Sequence, residues 1–160
     1  MIMKIFITLL SVFLCTCSKN KLPEYNHIDS MRIFAMKADF PERQPGQTAT
    51  ITPVISDIKG NGRPLTFTAS ACLDPGIAYG HDPECNGALH AQTLASGAVT
   101  GLSSPNYTGA VNTVAVTIPA DILAGKSTIE QLIGVTYIVV YRIASADGTS
   151  VTAGQRIKAS

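Results

Sequence analysis

Blocks of like charge and long apolar runs are both missing from this sequence of 160 residues. Charged residues make up 14% of it, and without Lys4 eleven basic side chains balance eleven acidic ones. A near-neutral chain with no basic patch gives no reason to expect nucleic acid or an anionic lipid surface as a partner. The longest mostly apolar stretch, Ile5–Cys15, has eleven residues, whereas a transmembrane helix needs about 20. No membrane-spanning helix is therefore expected.

The groups that catalysis and metal binding need are also scarce. Of three histidines, His27 precedes the predicted folded part, which leaves His81 and His90 as candidate general bases. No serine stands in a nucleophile-elbow glycine pattern, no phosphate-binding glycine loop opens a helix, and neither CxxC nor HExxH occurs. These absences disfavour a hydrolase or a metalloprotein. We expect a protein that is not an enzyme and that uses no cofactor and no metal.

What is present begins with an export signal. Lys4 supplies the positive end, Ile5–Cys15 the apolar core, and Thr16 a small residue before a cleavage site. A polar run, Ser18-Lys19-Asn20-Lys21, follows at once. The pattern is typical of a secretory signal that is removed from the mature protein, and we assign residues 1–16 to it.

The signal resembles that of bacterial lipoproteins, because Leu14 stands three residues before Cys17 and Thr16 directly before it. The resemblance implies lipidation of Cys17 by a diacylglyceryl group and an amide-linked fatty acid such as palmitate, and several chains together anchor a protein stably. Since Ser18 is not aspartate, it also implies the outer membrane of a Gram-negative cell. Two alternatives remain: Cys15 as the lipid site, which would place Leu14 at the cut, and an ordinary cleaved signal without lipid.

Export changes how the other two cysteines are interpreted. Thiols outside the cytoplasm meet oxidising conditions, so Cys72 and Cys85 are predicted to form a disulfide. The rival interpretation is a metal pair, with potential ligands close in sequence at His81, Asp82, Glu84 and His90. No metal-binding spacing supports it, and two carboxylates fall far short of a calcium site.

The mature chain has a length suited to one domain. Residues 17–28 are assigned to a polar tether and residues 29–160 to the domain, whose dominant period of two is typical of half-buried strands. The predicted strands are Met31–Lys37, Thr48–Ile55, Leu65–Ala71, Thr113–Ile118, Gly134–Ile143 and Val151–Ala159. Pro53 predicts an edge position or a bulge for the second strand. Only Ala120–Ile133 has room for a helical turn or two.

These short strands predict an all-β fold, an immunoglobulin-like antiparallel β-sandwich of about seven strands with a long loop stapled by the disulfide. Because the chain has no tryptophan, Phe67 on the third strand is expected to supply the core aromatic ring. Tyr137 and Tyr141 are expected to pack in the core or across the same sheet.

The segments Met31–Glu42, Pro45–Gln47, Arg63–Phe67 and Ala71–Cys72 carry a second resemblance. They are similar to a module of uncharacterised lipoproteins from predatory and gliding bacteria. The resemblance implies an immunoglobulin-like or PKD-like sandwich directly after a lipid anchor. It implies no catalytic or binding residues.

Residues 73–112 are the part that a sandwich does not explain, because loops beyond about 12 to 15 residues are usually functional or tied down. Residues that could bind a ligand in this region are Tyr79, His81, Asp82, Glu84, His90, Asn106 and Tyr107. The alternative is an insertion that covers a sheet edge and includes a short fourth strand. The sequence as a whole predicts a non-catalytic, lipid-anchored structural or interaction module of the cell envelope, part of a larger surface assembly and bound to another envelope protein. A surface lipoprotein that binds carbohydrate or another ligand through residues 73–112 is the alternative function.

Overall fold

Alternating apolar and polar residues build a structure whose regular elements are nearly all strands. The computed structural model describes residues 30–76 and 81–160. The predicted signal, the tether with Cys17, and Tyr79 lie outside the described residues. The described strands are β1 Arg32–Ala38, β2 Glu42–Arg43, β3 Thr48–Ser56, β4 Leu65–Leu73, β5 Gln92–Ala98, β6 Thr108–Ala110, β7 Val114–Thr117, β8 Val135–Ser145 and β9 Ser150–Ala159, with one helix, α1 Thr128–Ile133. Each of the six predicted strands is present, and the helical segment is where it was expected.

The strands form two facing sheets. One contains β1, β3 and β6 in that order, with β7 also paired to β3, and the other has the order β2-β9-β8-β4-β5. All pairs are antiparallel except β2 with β9. The chain therefore passes from one sheet to the other between Ala38 and Glu42. Across the core, strands β1, β3 and β7 face strands β4, β8 and β9. This arrangement confirms the predicted all-β sandwich, which has nine strands instead of about seven and one parallel pair among the antiparallel ones.

Pro53 does not mark an edge strand, contrary to the sequence-based prediction. β3 pairs with β1 along one side, and along the other with β7 at residues 48–51 and with β6 at residues 54–56. Pro53 lies where one partner ends and the other begins. A residue without an N–H can stand inside a sheet at such a gap. The bulge of this sheet falls in β1, between Ile33 and Ala35.

Aromatic side chains fill the space between the sheets. The rings of Phe67 and Tyr141 stack with centroids 5.2 Å apart and planes 3° from parallel. Tyr137 and Tyr141 are fully buried, and their hydroxyls donate to the carbonyl oxygens of His90 at 2.8 Å and Asn112 at 3.4 Å. Burial raises the pKa of both hydroxyls, so they remain protonated donors. The core roles expected for these rings are confirmed.

The two ends of the sandwich differ. At the proximal end, where the described chain begins, Arg32 lies opposite Ser56, and the connections 57–64, 99–107 and 146–149 meet. The opposite, distal end carries the segments 74–91 and 118–134 and the last residues of β9.

No helix in the described part of the chain is long and apolar enough to cross a membrane.

Replacing Tyr141 tests the aromatic core. Tyr141→Ala removes a buried ring and should lower the free energy of unfolding by about 3 to 5 kcal/mol. Tyr141→Phe keeps the ring stacked on Phe67 and removes only a long hydrogen bond, so it should cost about 1 kcal/mol or less. Urea unfolding of both variants measures the difference. Equal losses would mean that the hydroxyl, not the packing, holds the two sheets together.

Candidate functional site

Strand β8 is apolar on both faces. Its inward side chains Tyr137, Val139, Tyr141 and Ile143 belong to the main core, as the period-two pattern predicts. Its outward side chains Ile138 and Val140 would face solvent in a bare sheet, yet they are 1% and 6% exposed. Something must cover the outer face of the sheet at this point.

The cover is the segment 81–91, attached by the predicted disulfide. Cys72 on β4 is bonded to Cys85, with their Cα atoms 5.7 Å apart, and the two sulfur-bearing residues form a small second core with Ile138, Val140 and Ala88. The segment lies close to the sheet: a Cβ added to Gly154 would come within 2.8 Å of Ile138 Cδ1 and 3.2 Å of Pro83. The disulfide is confirmed, and it rules out a metal-bound pair of thiolates.

Residues 73–112 are therefore not one long loop. They contain β5, which forms the edge of the five-stranded sheet beside β4, and β6, which pairs with the end of β3. This agrees in part with the alternative interpretation, an insertion that covers a sheet edge and includes a short fourth strand: β5 is added at the edge, but the segment 81–91 covers the outer face of the sheet. The remaining connections are the disulfide-tied segment and the crossover 99–107.

A polar groove, here called the side cleft, runs between the disulfide-tied segment and the outer face of the sheet. It encloses about 340 Å³ and is lined by hydroxyl, carboxylate and guanidinium groups, among them Thr68, Ser70, Asp82, Glu84, Arg142 and Ser150. Arg142 donates to the Ser150 hydroxyl at 3.2 Å, and Glu84 accepts from the Asn86 amide at 3.2 Å. The groove presents hydrogen-bonding groups on rigid strands.

The predicted binding residues do not gather in one place. Asp82 and Glu84 line the side cleft, whereas His81 and Asn106 are simply exposed. His90 lies at the distal end, with Nδ1 3.7 Å from Asp121 Oδ1. Tyr107 lies at the proximal end next to Asn106, at the opposite end of the sandwich from His90.

Tyr107 lines a second cavity, here called the end cleft, which encloses about 400 Å³ between the connections 57–64 and 99–107. Its floor is apolar, from Leu65, Val99 and Leu102, and its walls carry Asn61 and Arg63. The cavity thus combines an apolar floor with a few convergent polar groups, a combination found in small-ligand sites.

An ion-pair network supports the end cleft. Asp57 is 3% exposed, and Arg63 donates to both of its carboxylate oxygens, at 2.8 Å and 2.9 Å. Arg63 also bonds to Asp147 in the β8–β9 turn. A buried carboxylate needs such a partner, and the network joins the connection 57–64 to the β8–β9 turn.

Asp147 has a strongly lowered pKa, first because it accepts a hydrogen bond from the Ser145 hydroxyl and then from the Thr149 amide, with a smaller contribution from Arg63. Sequence reasoning did not identify this network. The sequence feature that could have indicated the ion pair is a charged residue on each side of the Gly60-Asn61-Gly62 turn, at positions 57 and 63.

The described residues include no group of three or more His, Cys, Asp or Glu side chains arranged to hold a metal ion. No histidine is among the residues that line either cleft within ranges 30–76 and 81–160. Both clefts are thus equipped for hydrogen bonding and packing.

No protein-family model matches the sequence, and no curated protein matches it either. Among solved structures, the chain is similar to Spo0M, a sporulation control protein from Bacillus subtilis, with 17% identity and a TM-score of 0.42. The match covers 82% of this chain and 50% of Spo0M, so the chain spans about half the length of that protein. A likeness this distant carries no argument about function.

Removing the disulfide should loosen the cover of β8. The Cys72→Ala/Cys85→Ala variant loses a cross-link between residues 13 apart, worth about 3 kcal/mol in the chain-entropy model. Its thermal midpoint should fall, and hydrogen exchange should rise first in residues 81–91. The wild-type protein treated with reductant should behave in the same way. Unchanged exchange in this segment would show that the small core holds it without the bond.

Acid should remove the contribution of Asp147 to the stability of the folded protein. Its folded-state pKa lies below the ordinary 3.8, so the stabilisation is complete above about pH 4 and is lost as the pH falls towards the folded-state value. Asp147→Asn should therefore be less stable than wild type at neutral pH, and the gap should narrow below about pH 4. Urea unfolding of the wild type and of Asp147→Asn, from about pH 7 to pH 2, measures the difference between their free energies of unfolding. A gap that stays constant with pH would contradict the lowered pKa of Asp147.

Proposed function

We propose that this protein is a non-catalytic, lipid-anchored interaction module of the cell envelope. Cys17 holds it at the outer membrane of a Gram-negative cell, and the folded domain binds another envelope protein. The support for the anchor is the N-terminal signal, with Leu14 and Thr16 placed before Cys17 as in lipoprotein signals. A polar stretch, residues 18–28, then separates Cys17 from the domain.

The observation that carries the proposal is the distribution of exposed apolar side chains. Seven large hydrophobic side chains are exposed in the described part of the chain, and five lie at the distal end: Phe40, Leu89, Ile129, Leu132 and Ile133. Ile129, Leu132 and Ile133 are spaced three and four residues apart on α1, so they share one face of that helix, and exposed apolar side chains grouped in this way are typical of protein interaction sites. The described chain begins at the opposite, proximal end.

Helix α1 contributes most of this surface. A capping box of Ser127 and Glu130 begins it, and none of its residues is buried. Ile129 and Leu132 are 69% and 83% exposed. A helix of six residues gains little stability by itself, and its apolar side chains are not used in the core of the sandwich. A partner protein with an apolar groove would bury them.

Crosslinking of the anchored protein in whole cells tests the proposal. Ile129→Ser/Leu132→Ser should abolish crosslinking to an envelope protein that is identified by mass spectrometry in the wild type. The matched control is Ile58→Ser, an exposed isoleucine at the proximal end, which should leave the crosslink unchanged. Point variants are preferable to deleting residues 73–112, because that deletion removes β5 and β6. A crosslinked partner that both variants retain, or no partner in the wild type, would contradict the proposal.

A further inference from the structure

Two residues on the rim of the end cleft adopt a backbone conformation that side chains rarely accept. Asn61 has a φ of 48° and Tyr107 a φ of 41°. Asparagine tolerates the left-handed region, but a tyrosine there is uncommon. Such residues persist only where the surrounding structure holds them, and they are concentrated at functional sites.

The contacts that hold Tyr107 are specific. Its N–H donates to the Ser103 carbonyl at 2.9 Å, and its carbonyl accepts from the Asp57 N–H at 3.0 Å. Its ring lies over Gly62, where an added Cβ would come within 2.9 Å of Cε1. The backbone and a glycine therefore fix an aromatic ring at the wall of the cavity.

The polar side-chain groups of Asn61 and Tyr107, at the rim of the end cleft, make no hydrogen bond within the described structure. Neither the Tyr107 hydroxyl nor the Asn61 amide has a hydrogen-bond partner among residues 30–76 and 81–160. Arg63, in contrast, already faces the two carboxylates of Asp57 and Asp147. The charged residues that line the cleft, Asp57 and Arg63, sum to zero, and Arg63 is already paired, so an anionic ligand would find no uncompensated cation among the lining residues.

We propose that the end cleft binds an uncharged sugar ring. The apolar face of a pyranose would lie against the Tyr107 ring and the floor of Leu65, Val99 and Leu102, while its hydroxyls would bond to Asn61 and the Tyr107 hydroxyl. The cavity of about 400 Å³ is near the lower limit for small-molecule sites, which suits one or two rings. In variable immunoglobulin domains the loops at one end form the binding surface, and by fold-level analogy the corresponding loops here are those that form the end cleft.

Nuclear magnetic resonance titration of the disulfide-bonded domain tests this site. The probes are glucose, galactose and N-acetylglucosamine, with glucuronic acid as the charged comparison, each at about 10 mM, which is ten times a Kd of 1 mM. At least one neutral sugar should shift the amide signals of residues 61–65 and 99–107. Glucuronic acid should bind about tenfold more weakly than the best neutral sugar.

Two variants are matched to the backbone conformation. Tyr107→Asn and Asn61→Gly both keep residues that tolerate a positive φ, so each removes the binding group while the fold is retained. Tyr107→Asn should weaken binding about tenfold, and Asn61→Gly should weaken it measurably. Asp82→Asn in the side cleft should have no effect. The inference is overturned if no neutral sugar shifts these signals or if the shifts map to the side cleft. It is also overturned if glucuronic acid binds as tightly as the best neutral sugar, or if Tyr107→Asn binds sugar with unchanged affinity. It concerns the end opposite to the proposed partner surface, so either proposal can fail without the other.

Discussion

The structure depends on one constraint, which is that β8 is apolar on both of its faces. Its inner side chains join the two sheets around the stacked rings of Phe67 and Tyr141, and its outer side chains Ile138 and Val140 need a cover of their own. The disulfide supplies that cover, because Cys72 on the neighbouring strand holds the segment around Cys85 against the sheet. The side cleft exists only because this segment is held there.

This constraint links the fold to the proposed location of the protein. Structural disulfides persist outside the cytoplasm, so a domain whose outer sheet face is covered by a disulfide-tied segment suits an exported chain. The two ends then divide the proposed tasks. The distal end carries the exposed apolar side chains of α1, and the proximal end carries the cavity beside Tyr107. The Asp57–Arg63 pair stabilises the proximal end without offering a free positive charge.

Much of the fold could be predicted from the sequence, because the strands have a clear period of two and their turns contain glycine, proline or asparagine. The position of β5 was not predicted, although a short strand somewhere in residues 73–112 was one of the two interpretations: Gln92–Ala98 contains small and polar residues with weak alternation, and its place is set by pairing with β4. Pro53 was misinterpreted because the gap between β6 and β7 depends on tertiary structure. The end cleft could not be predicted, since it brings Tyr107 over Gly62 from 45 residues away, and no local pattern indicates such a contact.

Mass spectrometry of the protein purified from the membranes of cells that export it tests the central claim most directly. The account predicts an N-terminal peptide that begins at Cys17 and carries a diacylglyceryl group and an amide-linked fatty acid. In the same digest without reductant, the peptides that contain Cys72 and Cys85 should be joined. An unmodified Cys17 would contradict the anchor, and free thiols at Cys72 and Cys85 would contradict the disulfide on which the cover of β8 depends.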